Sequence, residues 1–292
     1  MKEPPRAAVL DVGCFSAHLM VVEGSLSRPL VSHKVRLRLD RALDDAGRIS
    51  QDGIEGIAAA VAEVQERLRD VRVPAFLPFA TSSVRDAANS SQVISKVARR
   101  TGLELRVLSG EREARLSYTA ARRWLGSTER LSVLDIGGGT VELAAGSARR
   151  PAFARSLPIG ARTLTRSGRS VRELRRSLPH RIVSALDPAD LEALAAGRAI
   201  GCSKVFSQLA VLTGSPERLQ VAELSKWIPR LAAMTPRERA KLPGISRHRA
   251  RQSLAGAVVA EALMRATGHD AIDISPWSTK EGLLLDLLKE QR

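Results

Sequence analysis

Over the first forty residues, apolar and polar positions alternate in short bursts separated by turn residues. Ala7–Val12 is apolar and ends at Gly13. His18–Glu23 is a second run, closed by Gly24–Ser25. Leu30–Leu39 alternates, with Val31, Val35, Leu37 and Leu39 set against His33, Lys34, Arg36 and Arg38. Runs of period two joined by short turns predict three strands in an antiparallel meander. After Asp52–Gly53 the period lengthens: Ile54, Ile57, Ala58, Val61, Val64 and Leu68 fall on one face of a helix. A strand over Phe76–Thr81, a helix over Ser90–Arg100, a strand over Leu103–Leu108 and a helix over Glu111–Trp124 follow. The last opens with acids, which suit the positive end of a helix dipole.

The stretch from Arg123 to Arg130, with Gly126–Ser127, reads as a domain joint. The opening pattern then returns: Leu131–Ile136 is apolar and contains Asp135, Gly137–Gly138–Gly139 makes a tight turn, and Val141–Ala145 and Ala152–Leu157 are the next strands. Val9-Leu10-Asp11-Val12-Gly13 thus repeats as Val133-Leu134-Asp135-Ile136-Gly137, the most informative feature of the chain. Beyond Ser170 the pattern is mostly helical, over Val171–Leu186, Ser203–Leu212, Val221–Met234 and Arg247–Thr267. A short strand at Ala271–Ile274 precedes a final amphipathic helix over Thr279–Lys289. Two domains are expected, residues 1–124 and 125–292, with the final helix a candidate to pack back on the first.

A length of 292 residues suits two domains. Aromatic residues make up 3% of the chain, so aliphatic side chains must fill the cores. No apolar run reaches the roughly 18–20 residues needed to span a bilayer, and Met1–Arg6 leads directly into a strand without the apolar core of a signal peptide. A cytoplasmic protein is expected, with no membrane partner. The two cysteines, Cys14 and Cys202, read as small buried thiols, which excludes a disulfide scaffold and a thiolate metal site.

The formal net charge of +15 changes the picture, because it calls for a polyanionic partner. Ten arginines lie between Arg149 and Arg181, with Glu173 the lone acid among them; the guanidinium fork suits phosphate oxygens. Nucleic acid is disfavoured as that partner, since Trp124, Trp227 and Trp277 are too scattered to form a stacking platform. His18 and His33 belong to no metal-binding cluster.

A carboxylate at a strand end followed by glycine has a definite chemical use. The glycine lets the backbone approach a phosphate, its N–H groups address the oxygens, and the carboxylate can hold Mg²⁺. Two such turns at equivalent places would face each other across an interdomain cleft and pinch one phosphate. A third element, Ser109-Gly110-Glu111-Arg112-Glu113-Ala114-Arg115, places acids in the first turn of a helix. There a carboxylate can activate a water, or serve the helix dipole alone.

Together these blocks resemble the exopolyphosphatase/guanosine pentaphosphate phosphatase (Ppx/GppA) family of the actin–hexokinase–Hsp70 superfamily. The resemblance rests on Asp11–Gly13 with Ser16 and Leu19; Ala80-Thr81-Ser82-Ser83-Val84-Arg85-Asp86-Ala87; Ser109 to Leu116; Asp135-Ile136-Gly137-Gly138-Gly139-Thr140-Val141-Glu142-Leu143; and Ser156-Leu157-Pro158-Ile159-Gly160-Ala161-Arg162. The blocks run in family order over essentially the whole chain, at the length of the short two-domain members. The resemblance implies an α/β fold of two duplicated RNase H-like (actin-like ATPase) domains with an interdomain cleft and helical additions in the second.

It also implies roles. Glu113 matches the catalytic base, and Asp135 the metal-associated aspartate of the second phosphate loop. Gly137, Gly138, Gly139 and Glu142 belong with that loop. Asp11, Gly13 and Ser16 match the first loop, with Asp11 a second metal-associated carboxylate, and Arg85 matches an arginine near the phosphate. Arg162, Arg166 and Arg169 would hold a polyanionic tail.

The implied activity is Mg²⁺-dependent hydrolysis of the terminal phosphoanhydride of inorganic polyphosphate. Two alternatives stand beside it: 5′-phosphohydrolysis of guanosine pentaphosphate, and a catalytically weakened sensor of polyphosphate or nucleotide. The sensor reading comes from Gly13-Cys14-Phe15-Ser16, where the family usually carries Gly-Ser-Asn-Ser or Gly-Ser-Asn-Thr; a Phe side chain donates no hydrogen bond. Gly201-Cys202-Ser203-Lys204 similarly stands where a Gly-Thr-Ser-like block is usual. Oligomeric state, a homodimer included, is left open.

Overall fold

A computed structural model of the chain describes residues 4–291. Its contacts divide into two compact units, residues 4–109 with 280–291, and residues 110–279.

The first unit runs β1 (Arg6–Val12), β2 (Ser16–Glu23), β3 (Val31–Arg36), α1 (Leu39–Ala42), α2 (Gln51–Leu68), β4 (Ala75–Ala80), α3 (Ser82–Arg85), α4 (Ser90–Thr101) and β5 (Arg106–Val107). Its sheet has the order β3-β2-β1-β4-β5. The first three strands form the expected antiparallel meander, and β4 and β5 run parallel to β1. Strand alternation places Leu10, Val12, Leu19 and Val21 on one face, where they pack with Ile54, Ile57, Val61 and Val64 of α2 and Val93 and Val97 of α4. Each such side chain contributes about 1.5–3 kcal/mol on burial. Ser50 starts α2 by accepting the Gly53 N–H at 3.2 Å.

The second unit runs α5 (Gly110–Leu125), β6 (Leu131–Ile136), β7 (Val141–Gly146), β8 (Phe153–Leu157), α6 (Ala161–Arg166), α7 (Val171–Ser184), α8 (Pro188–Ala195), β9 (Arg198–Cys202), α9 (Ser203–Leu212), β10 (Arg218–Gln220), α10 (Val221–Ala233), α11 (Pro236–Arg239), α12 (Ser253–Ala266) and β11 (Ala271–Ile274). Its sheet order is β10-β11-β9-β6-β7-β8. Read from β8 inward, the first five strands repeat the order and the directions of the first unit, with β9 and β11 parallel to β6. The duplication read from two short sequence blocks is therefore a duplication of sheet topology, with β10 and several helices added. The last helix, α13 (Thr279–Glu290), belongs with the first unit from Lys280 onward.

Every residue of β6 is buried, because the strand is covered on both faces. Leu131 and Val133 pack with Ala114, Tyr118 and Ala121 of α5. Leu134 and Ile136 lie on the opposite face, in a core with Leu178, Phe206 and Val258. This packing assigns α5 to the second unit, so the chain divides at Ser109/Gly110 and not after residue 124.

Local differences from the sequence expectations have physical causes. β3 stops at Arg36 because the N–H groups of Leu37 and Leu39 turn to the carbonyls of Phe15 and Cys14, at 2.9 and 3.0 Å. β5 shrinks to two residues, both exposed. α12 begins at Ser253, after turns over the preceding residues. α1, α3, α6, α8, α11, β9 and β10 lie outside the expected elements; each is too short to show a period. Among the described residues no helix is long and apolar enough to cross a membrane.

Candidate active site

In the second unit the strand register builds a polar row. Asp135 on β6 sits opposite Glu142 on β7, Glu142 opposite Ser156 on β8, and Asp135 beside Cys202 on β9. Parity places all four on the α5 face, two positions beyond the apolar set Val133, Ala144, Ala154 and Ile200. Asp135, Glu142 and Cys202 are buried. The Ser156 hydroxyl donates to Glu142 Oε1 at 2.9 Å. From above, the Ser117 hydroxyl of α5 donates to Asp135 Oδ2 at 3.0 Å. Glu113 lies one helical turn before Ser117, on the same face of α5, and is also buried. Asp135 and Glu142 thus lie side by side at one end of the sheet, and Glu113 stands in the first turn of α5 above it.

The triple-glycine loop joins β6 to β7 beside this row. The Gly137 N–H closes it on the Thr140 carbonyl at 2.9 Å. The start of α6 fixes its other groups: Gly160, Ala161 and Arg162 donate their N–H groups to the carbonyls of Gly139, Gly137 and Gly138 at 3.0, 3.0 and 2.8 Å. The Thr163 hydroxyl adds a 2.9 Å bond to Gly139. In a planar trans peptide the N–H points opposite to the preceding carbonyl. The N–H groups of Gly138, Gly139 and Thr140 are therefore directed away from α6. Successive amides turned one way form an anion-binding nest. Gly160 is needed for this packing, since a Cβ there would lie 2.4 Å from Gly139 C and 2.5 Å from Thr140 N. In the sequence Gly160 and Ser156 have no role beyond membership of a matching block, and Ser117 has none at all. The only sequence signals were the small residue in that block and the four-residue spacing from Glu113.

The first unit repeats the arrangement. The Gly13 N–H closes the β1–β2 loop on the Ser16 carbonyl at 3.0 Å. The Cys14 and Phe15 carbonyls are held by Leu39 and Leu37, so the N–H groups of Phe15 and Ser16 point away from that segment. Both Cys14 and Phe15 are buried. Asp11 pairs with His18, and His18 with Lys34. Burial pushes the Asp11 carboxyl up to about 6, with Glu281 adding to the rise and Lys280 and Lys34 opposing it. Arg85, on α3, grips both oxygens of Asp86, at 2.8 and 3.4 Å, and the Leu108 carbonyl at 3.0 Å.

The sequence-predicted residues therefore form two sets, one in each unit: Asp11, Gly13, Ser16 and Arg85, and Glu113, Asp135, Gly137, Gly138, Gly139 and Glu142. The arginine-rich stretch is not uniform. Arg162 is buried at the start of α6, whereas Arg166 and Arg169 are exposed. Arg155 pairs with Asp190 at 3.2 Å and Arg175 with Glu261 at 2.6 Å.

The model of the Ppx/GppA phosphatase family matches residues 20–291. The chain belongs to the Ppx/GppA phosphatase family. It is 39% identical to Exopolyphosphatase 1 of Mycobacterium leprae, over 98% of this chain and 90% of that protein. Among solved structures, an exopolyphosphatase from Cytophaga hutchinsonii superposes with a TM-score of 0.83 at 23% identity, covering 98% of each chain. The Aquifex aeolicus family member gives 0.80 at 23% identity, covering 99% of each chain. At that identity the two structures speak to the fold, which they share with this chain across its whole length. In this Ppx/GppA chain the unusual Cys14–Phe15 pair leaves the backbone closure of the first loop equal to that of the second.

Among the described residues, no group of three His, Cys, Asp or Glu side chains converges as a ready-made metal cage. The donors that do lie together, Asp135 and Glu142, are hard carboxylate oxygens. They suit Mg²⁺, which is commonly held by one or two carboxylates with waters and substrate phosphates completing the shell.

Proposed function

We propose that this protein is an exopolyphosphatase, a hydrolase that removes the terminal phosphate of inorganic polyphosphate as orthophosphate. The observation that carries the reading is 39% identity to Exopolyphosphatase 1 of Mycobacterium leprae over nearly the full chain. The acidic row beside an amide nest supports it. In the proposed step a water oxygen attacks the terminal phosphorus in line, and the bridging P–O bond breaks. The shortened chain leaves with the bridging oxygen. Glu113 takes the proton of the attacking water; its place over the row, at the start of α5, suits a general base. The N–H groups of Gly138, Gly139 and Thr140 hold the oxygens of the transferred phosphoryl group. Phe15 and Ser16 supply the corresponding backbone donors in the first loop, closed by Gly13, and Ser117 orients Asp135.

Asp135, with Glu142 beside it, would hold Mg²⁺ in the second unit, and Asp11 is the corresponding carboxylate of the first. Bound there, the ion would offset charge on the phosphoryl oxygens. Arg166 and Arg169, exposed on the surface of the second unit, would attract the rest of the polyanion. A cytoplasmic setting is part of the same reading.

The test is orthophosphate release from long polyphosphate, with and without Mg²⁺, beside release from guanosine pentaphosphate. Glu113→Gln is expected to lower the rate by about 10²–10⁴-fold with polyphosphate binding retained. A folded variant with unchanged turnover would remove Glu113 from the role of base. Faster release from the nucleotide than from polyphosphate would shift the substrate assignment.

A further inference from the structure

The helix α13 reaches both ends of β1. Beyond its last turn, Gln291 donates to the Arg6 carbonyl at 3.0 Å, at the start of β1. Its first turn supplies Lys280 and Glu281, the charges acting on Asp11 at the other end of that strand. The helix therefore runs antiparallel to β1, from its Asp11 end to its Arg6 end. In the second unit α5 likewise brings Ser117 to Asp135 at the end of β6, while Arg122 near its C-terminus donates to the Glu129 carbonyl at 2.9 Å, just ahead of that strand.

Although the two registered rows match in position, they differ in charge. In the second unit the row reads Ser156, Glu142 and Asp135, and the helix above adds the acid Glu113. In the first it reads Lys34, His18 and Asp11, and the helix above adds Lys280 together with Glu281. Lys280 Nζ lies 2.7 Å from Glu281 Oε1, and the two side chains are only 17% and 5% exposed. A desolvated ammonium is a compact charge whose attraction for an anion is weakly screened. Glu281 holds it in place, and its charge acts on Asp11, two residues before the turn at Gly13.

We propose that Lys280 is a phosphate-binding residue of the first loop, positioned by Glu281. The inference rests on the polyphosphatase reading, but it is testable apart from turnover. Binding of inorganic tripolyphosphate to Glu113→Gln protein is measured by calorimetry over a series of salt concentrations, with melting temperature recorded alongside. Adding Lys280→Met, which keeps the apolar stem packed, is expected to weaken binding about tenfold or more and to flatten its salt dependence. Lys280→Arg is expected to retain most of the affinity. Glu281→Gln is expected to weaken binding less, and Glu281→Asp to recover it. In the otherwise wild-type enzyme, Lys280→Met should raise KM for tripolyphosphate more than it lowers kcat.

Equal affinity and salt dependence in a folded Lys280→Met protein would overturn the assignment and leave Lys280 a structural partner of two acids. Absence of tripolyphosphate binding in the parent would overturn it as well. Absence of phosphate release from the wild type, with tripolyphosphate binding that depends on Lys280, would sink the enzyme reading and leave the inference standing.

Discussion

Replacing Gly160 with Ala tests whether the glycine loop is held by α6. A Cβ at 160 would sit 2.4 Å from Gly139 C, 2.5 Å from Thr140 N and 2.6 Å from the Gly138 oxygen. All three are backbone atoms, so no side chain can swing aside. Restoring ordinary contact requires a shift of about 1 Å in either the loop or the start of α6. Overpacking of this kind typically costs about 1–3 kcal/mol, and the three N–H bonds from Gly160, Ala161 and Arg162 are strained together. Displacement of a positioned group by about 1 Å is worth about 10²-fold in rate. Gly160→Ala is therefore expected to lower kcat for phosphate release by roughly two orders of magnitude and to lower the melting temperature by several degrees. Gly13→Ala is the control. Its Cβ would meet the Ser16 oxygen at 3.7 Å and Asp11 Oδ1 at 3.9 Å, ordinary contacts, so its melting temperature should stay near wild type. The assays are steady-state orthophosphate release and thermal unfolding of the same preparations. Wild-type kcat and melting temperature in Gly160→Ala would refute the idea that α6 fixes the nest.

Two further outcomes are expected from the same structure. Glu261 is buried on α12 and holds Arg175 through two bonds, at 2.7 and 2.6 Å, with Ser225 at 2.6 Å. Burial opposes its ionisation, but the bonds from Arg175 and Ser225 outweigh that and leave its carboxyl below the usual range. Its contribution is then fully present above the unfolded carboxylate pKa of about 4.3 and is lost as pH falls through the lower folded value. Glu261→Gln should cost roughly 2–3 kcal/mol at neutral pH, less than a fully buried pair because Arg175 is 37% exposed. It should also flatten the acid limb of the stability–pH curve; a parallel curve in urea titrations at pH 3–7 would refute this. Restoring the family's usual residues with Cys14→Ser and Phe15→Asn should destabilise by about 3 kcal/mol or more, because Phe15 is buried. Phosphate release that rose by orders of magnitude in this variant would favour the sensor reading; a similar or lower rate would count against it.

The sequence by itself determined the local alphabet of this protein. The alternation at Ala7–Val12, the shift of period at Ile54, and the return of the Asp–Gly turn at Asp135 are set by neighbours two to four residues apart. They gave β1, β2, β6, β7, α2 and α5 nearly to the residue. The two loops and Glu113 were legible for the same reason, as residue types that a phosphate requires in a short span. Only the tertiary structure decided what lies beside what. α6 was not legible because six residues carry no period, and its chief role is to bind three loop carbonyls twenty or more residues away. α5 was assigned to the first half because chain order cannot show that Ala114, Tyr118 and Ala121 bury against β6 to β9. Strand register set Ser156, Glu142 and Asp135 in one row. It also set Lys34 and Asp11 in the matching row under Lys280, 269 residues from Asp11 in the chain. Periodicity is a local property of the chain, whereas register and helix crossing depend on the burial of whole faces, which no short window of sequence contains.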